Sequence, residues 1–166
     1  MIYMRGKPAP RRKIQPDIKY NSTIVAKFIN YIMRKGKKST AQAVVYGCFD
    51  IIDQRLKKGI EGINEKQAIE VFDKAIRNIS PTVEVVGRRV GGANYQVPVP
   101  VKGDRRLALA FRWLIGAADK KKGRPMAEKL ASELIDSYLE QGDAIKKKQD
   151  VYKMAESNRA FAHFAR

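Results

Sequence analysis

Apolar residues recur at three- and four-residue intervals through most of this chain, the spacing of helices with one buried face. The first such stripe is Ile24, Val25, Phe28, Ile29 and Ile32, with Asn21 or Ser22 placed to cap it. A second runs Val44, Val45, Cys48, Phe49, Ile52 and Leu56 behind Ser39 as cap, and a third runs Ala68, Ile69, Phe72, Ala75, Ile76 and Ile79. Asn64 followed by Gln67 suggests a capping-box variant for that third helix, which ends before Pro81. Leu107, Phe111, Leu114 and Ile115 mark a fourth helix opened by Asp104, with Trp113 reading as core beside Leu114. Pro125 pre-sets the first turn of a fifth, with Met126, Leu130, Leu134, Ile135 and Tyr138 facing in and Glu128, Glu133, Asp136 and Glu140 forming an acidic outer side. A sixth, capped by Asp143 and running to about Phe161, carries only scattered apolar points at Ile145, Tyr152, Met154 and Phe161, so it needs something to lie on.

One stretch breaks the helical period. Thr82, Val83, Val85, Val86 and Val90 precede Gly91-Gly92, and Tyr95, Val97, Val99 and Val101 follow it, so β-branched and aromatic residues flank a turn signal. This predicts a hairpin over about residues 82–101, marginal by itself and therefore laid on the helices or on a partner. Arg88 and Arg89 stand beside the glycines with no carboxylate nearer than Glu84, making the hairpin a basic finger. The fold class is mainly α: about six helices in a single bundle-like domain over residues 20–150, with one protruding β-hairpin. An extended basic amino-terminal arm over residues 1–19 and a long carboxyl-terminal helix, its end and tail at 151–166, complete it. The 166 residues suit one domain with a real core rather than two.

Charge changes the picture from architecture to partner. The chain holds 34 Lys and Arg against 17 Asp and Glu, a net charge of +17 that repels itself unless a polyanion is near. The excess is uneven: residues 1–40 carry eleven basic and one acidic side chain, residues 41–79 six of each, and residues 80–125 ten and three. The arm mixes Arg5, Lys7, Arg11, Arg12 and Lys13 with three prolines, a composition that orders on binding rather than packing a core. Nucleic acid is the leading partner. No apolar run approaches the roughly 20 residues of a membrane span, and no signal peptide is expected before the domain. The lone Cys48 lies on an apolar stripe and reads as core in an intracellular protein. A single histidine leaves no material for a metal site, no cofactor motif is present, and no nucleophile arrangement appears, so catalysis is not expected.

Basic clusters on an arm, on loops and on a hairpin can follow an irregular RNA surface, where a groove-reading protein needs one continuous recognition face. The candidate RNA-binding residues are Arg5, Lys7, Arg11, Arg12, Lys13, Arg34, Lys35, Lys37, Lys38, Lys102, Arg105, Arg106, Arg112, Lys120, Lys121, Lys122 and Arg124, with Arg88, Arg89, Gly91, Gly92, Asn94, Tyr95 and Gln96 on the finger. Gly91 and Gly92 supply a tight turn and close backbone approach to a phosphate or sugar, and Tyr95 is expected to stack on unpaired bases. Two rival readings fit less well. A DNA-binding repressor using the fourth helix would need more base-reading side chains than Arg105, Arg112 and Trp113 provide. An RNA-processing enzyme using Asp104 or Glu84 would need a second carboxylate or a metal cluster.

The run Arg88-Arg89-Val90-Gly91-Gly92-Ala93-Asn94-Tyr95-Gln96-Val97-Pro98-Val99 closely resembles the signature of the seventh protein of the small ribosomal subunit, in its bacterial and organellar form. Residues 16–22 and 34–41, and the closing block 153–166, resemble the same family. The resemblance implies a ribosomal constituent that binds small-subunit rRNA and organises its head, the 3′ major domain. It further implies a hairpin near exit-site tRNA and the mRNA path, neighbouring small-subunit proteins as partners, and a place in the cytoplasm or an organelle. Some bacterial relatives repress their own messenger, which adds autogenous repression to the implied roles. Against the family pattern, Pro100 replaces an acidic residue, Ile18 a proline and Tyr152 a histidine, and residues 59–67 form a longer loop.

Overall fold

The computed structural model describes residues 13–60 and 62–165. The predicted Arg5, Lys7, Arg11 and Arg12 lie outside the described residues. Helix α1 spans Thr23–Ile32, α2 Lys38–Lys57 and α3 Ala68–Ile79. Strands β1 (Val83–Val90) and β2 (Ala93–Pro100) follow, then α4 (Gly103–Lys120), α5 (Met126–Tyr138), α6 (Asp143–Ser157) and a 3₁₀ turn over Arg159–Ala165. Six α-helices and one antiparallel hairpin answer the sequence reading of fold class.

Each of the first four helices contributes one phenylalanine to the centre. The Phe28 ring lies 5.2 Å from both Phe72 and Phe111, and Phe49 lies 5.4 Å from Phe72, spacings at which aromatic rings attract beyond simple burial. Leu130 and Leu134 of α5, both fully buried, close this core, and α5 packs on α2, α3 and α4 at once. Burying each such side chain is worth roughly 1.5–3 kcal/mol, which is why the stripes locate the helices so well. Cys48 is buried among them, and burial pushes its thiol pKa well up, so the thiolate that would react is suppressed.

The central position of α5 overturns part of the sequence reading. Glu133, assigned to an acidic outer side, is completely buried. Its carboxylate does two jobs. Oε1 accepts the backbone N–H of Ala144 at 2.9 Å, capping the start of α6, and Oε2 stands 2.7 Å from Lys121 Nζ as an ion pair. Lys121 also reaches Asp136 at 3.1 Å, and Gly142 fits against this cluster with φ of 92°, where a Cβ would come within 2.9 Å of Glu133 Oε1. Glu133 sits three residues from Leu130 and next to Leu134, so the helical period puts it on the buried stripe, a signal that its charge masked.

Several caps differ in the same way. Ser22 does cap α1, accepting from Val25 N. Asn64 and Gln67 do not form a capping box: α3 begins at Ala68, whose N–H donates to Asp53 Oδ1 of α2 at 2.8 Å. Ser39 lies inside the first turn of α2, Asp104 inside that of α4, and Asp143 opens α6 behind Gly142 without capping it. Local sequence finds where helices start; for α3 and α6 the acceptor that satisfies an early N–H group comes from a neighbouring helix, which only packing brings near. On α6 the buried points are Ala144, Ile145 and Val151, while Met154 is exposed.

Candidate nucleic-acid interface

The described cations divide by partner. Arg34 pairs with Asp119, Arg105 with Glu84, and Lys121 with Glu133 and Asp136. These three predicted RNA contacts therefore serve the fold first. Lys13, Lys35, Lys37, Lys38, Arg89, Lys102, Arg106, Arg112, Lys120, Lys122 and Arg124 are exposed and have no hydrogen-bond or ion-pair partner among the described residues. An exposed cation with its full hydration and no internal anion is the kind that can meet a phosphate without breaking anything.

Helix ends sharpen the division. α1, α3 and α6 are capped by side chains of Ser22, Asp53 and Glu133, whereas among the described residues no side chain caps α2, α4 or α5. Exposed cations flank each uncapped start: Lys35, Lys37 and Lys38 at α2, Lys102 and Arg106 at α4, Lys122 and Arg124 at α5. Open N–H groups and the positive end of a helix dipole add to those charges and favour an anion there, most of all at α2, whose first turn holds no acid, whereas Asp104 and Glu128 already stand in the first turns of α4 and α5.

Tertiary packing also brings separated clusters together. A concavity of about 460 Å³ is walled by Tyr31, Val44, Ile115 and Met126 and edged by Arg34, Lys37 and Lys129. It joins the start of α2 to the start of α5. Lys129 was missed in the sequence because it stands alone among the acids of α5. A second hollow of about 490 Å³ places Lys13 beside Lys38. Ahead of α1, Asp17 accepts from the N–H groups of Lys19 and Tyr20 and from Tyr46 Oη at 2.8 Å, fixing the turn through which the arm enters.

The finger is built from the register Arg88↔Tyr95 and Arg89↔Asn94, closed by Gly91 and Gly92 at φ of 58° and 88°. Two consecutive left-handed residues are what a two-residue hairpin turn of primed type demands, and this accounts for both glycines. Open space surrounds both positions. Because successive side chains alternate, Arg88 and Tyr95 lie on one face and Arg89, Asn94 and Gln96 on the other. The first face is covered: Tyr95 packs 5.1 Å from Phe161 and 5.3 Å from Phe164, and Arg88 Nη1 donates to the Phe164 carbonyl at 3.0 Å. Tyr95, expected to stack on unpaired bases, is half-buried and meets two rings of its own chain. Arg89, Asn94 and Gln96 are exposed on the open face.

The root of the finger is fixed independently. Glu84 accepts from Arg105 Nη2 at 2.8 Å and from Nε at 3.2 Å. Tyr152 Oη accepts the Thr82 N–H at 3.0 Å and lies 2.9 Å from its hydroxyl. Burial pushes the Tyr152 phenol pKa up, yet these bonds with nearby Lys148 and Arg106 bring the net shift down. Tyr152 therefore helps anchor the ribbon to α6.

Among the described residues no group of His, Cys, Asp and Glu is arranged to hold a metal ion, and no helix is long and apolar enough to cross a membrane. Free cations raised on a loop, on open helix ends and on a ribbon, around an apolar helical mount, define a polyanion-binding protein of helical fold. Sequence comparison gives the particular family. Residues 4–159 match the model described as ribosomal protein S7p/S5e. Small ribosomal subunit protein uS7 of Chloroflexus aggregans is 53% identical over 156 residues, 94% of each chain. The proteins of that name from Thermotoga neapolitana and Sulfurimonas denitrificans are each 52% identical over 161 residues, 97% of this chain and 99% of theirs. The chain belongs to the ribosomal protein S7p/S5e family.

A prediction follows from the open helix ends. Lys37→Asp leaves the melting temperature unchanged or raised, because a carboxylate meets the positive end of α2, yet weakens binding to structured RNA about tenfold. Thermal unfolding and filter binding check the two halves; lost stability together with unchanged binding contradicts it.

Proposed function

We propose that this chain is a structural, non-catalytic constituent of the small ribosomal subunit that binds its rRNA directly and organises the head domain. The observation that carries the reading is the coincidence of free cations with the three uncapped helix starts, within a chain more than half identical to proteins named for that subunit. Open N–H groups and exposed cations at the same places match phosphates of a folded RNA better than the regular grooves of duplex DNA. The open face of the finger, with Arg89, Asn94 and Gln96, lies toward exit-site tRNA and the mRNA path. Neighbouring ribosomal proteins cover other surfaces, and the site of action is the ribosome in the bacterial cytoplasm. Autogenous repression belongs to the same surface, since a transcript that reproduces the phosphate geometry competes for it.

Competition at physiological salt tests this. A fragment of the small-subunit rRNA head domain is expected to displace duplex DNA of equal charge from the protein. Preference for the duplex overturns the assignment.

A further inference from the structure

The turn Arg159–Ala165 reaches the finger far from its root. Arg88 and Tyr95 pair five residues beyond the Val83↔Pro100 end, roughly 17 Å along the ribbon at about 3.4 Å per residue. Phe161 and Phe164, nearly parallel with centroids 6.4 Å apart, both meet Tyr95 there, and the Phe164 carbonyl holds Arg88. The turn is continuous with α6 through Asn158, whose side chain donates to Met154 O at 2.8 Å and whose carbonyl accepts Phe161 N. α6 is in turn fixed at its start by Glu133. Beyond the buried Val97, a two-stranded ribbon has little of its own to keep it straight.

We propose that this 3₁₀ turn is a positioning element for the finger: Phe161 and Phe164, by gripping Tyr95 with Arg88 alongside, hold the ribbon rigid and turn Arg89, Asn94 and Gln96 toward RNA. The inference rests on the RNA-binding reading above and adds to it a division of labour between the two faces. Rigidity set before binding spares the complex the cost of ordering the ribbon. The aromatic face is the handle and the polar face is the working surface.

The test uses the full chain with Phe161→Ala and Phe164→Ala together, binding a head-domain rRNA fragment across a salt series. Affinity is expected to fall about tenfold at fixed salt, the order set by re-ordering one or two side chains and a loop on binding. The slope of log affinity against log salt stays unchanged, because no cation has been removed. Amide hydrogen exchange over residues 87–96 accelerates while that of α1 to α5 does not, and Phe161→Leu with Phe164→Leu restores most of the affinity. Unchanged exchange or unchanged affinity overturns the proposal, and tighter binding does so by showing the turn to be a lid over Tyr95. Arg89→Ala serves as the control, weakening binding and reducing the slope by about one. If wild type shows no preference for the RNA, the functional reading fails, whereas the exchange measurement still decides whether the turn holds the finger.

Discussion

Lys121→Met is expected to lower the free energy of unfolding by about 3–5 kcal/mol, a large share of a small domain's total. The substitution keeps the length and volume of the side chain and removes only its charge. Glu133 is then left fully buried, still capping α6 but without the cation it shares with Asp136. An uncompensated buried carboxylate either carries its desolvation cost or takes up a proton, and both weaken the fold. Adding Glu133→Gln removes the stranded charge while retaining an oxygen for Ala144, so the double variant should recover much of the loss. Lys120→Met, one residue away and exposed, should stay within about 0.5 kcal/mol of wild type. Urea denaturation of wild type, Lys121→Met, Glu133→Gln and the double variant gives the coupling directly, with Lys120→Met as the control.

The same cluster fixes a pH dependence. Burial pulls the Lys121 pKa down, but its bonds to Glu133 and Asp136 outweigh that and the net shift is upward. A raised value in the folded state means the contribution is complete below the unfolded value of about 10.4 and disappears as pH rises through the folded one. On the alkaline side, the stability gap between wild type and Lys121→Met should therefore narrow above about pH 10.5. A gap that closes near neutrality would show that the ion pair is not what holds α6.

RNA affinity is expected to fall roughly a thousandfold or more between about 50 and 200 mM salt, the consequence of releasing counterions from about ten phosphates. Structure makes this sharper than composition does, because it separates cations that are free from those already used. Removing Lys35, Lys38 or Arg124 should each reduce the salt slope by about one. Removing Arg105, whose bidentate partner is Glu84, should leave the slope nearly unchanged and instead loosen the root of the finger. The hydrogen bond to Glu84 raises the Arg105 pKa. Binding isotherms at four or five salt concentrations suffice. A flat response, or equal slopes for loss of Arg105 and loss of Lys35, would contradict the division of cations described above.

The helices and the hairpin were legible because their signals are local and repetitive. Phe28, Phe49, Phe72 and Phe111 recur on stripes that could only be buried together, and the β-branched run around Gly91-Gly92 could only be a ribbon. Net charge and its concentration in the arm, the loops and the finger likewise belong to the sequence, and they identify a polyanion as partner before any coordinates. Which cations are available was not legible. Arg34, Arg105 and Lys121 read like Lys35, Arg106 and Lys120, and what separates them is a carboxylate from 12 to 85 positions away along the chain. Arg88 and Arg89 are neighbours in sequence and opposites in space, since a strand sends successive side chains to opposite faces and only the returning aromatic turn decides which face is covered. Sequence alone determined the elements and the sign of the surface, because both follow from residue type and short-range period; tertiary structure alone decided which charges are spent holding the fold, because pairing depends on distances that chain order does not encode.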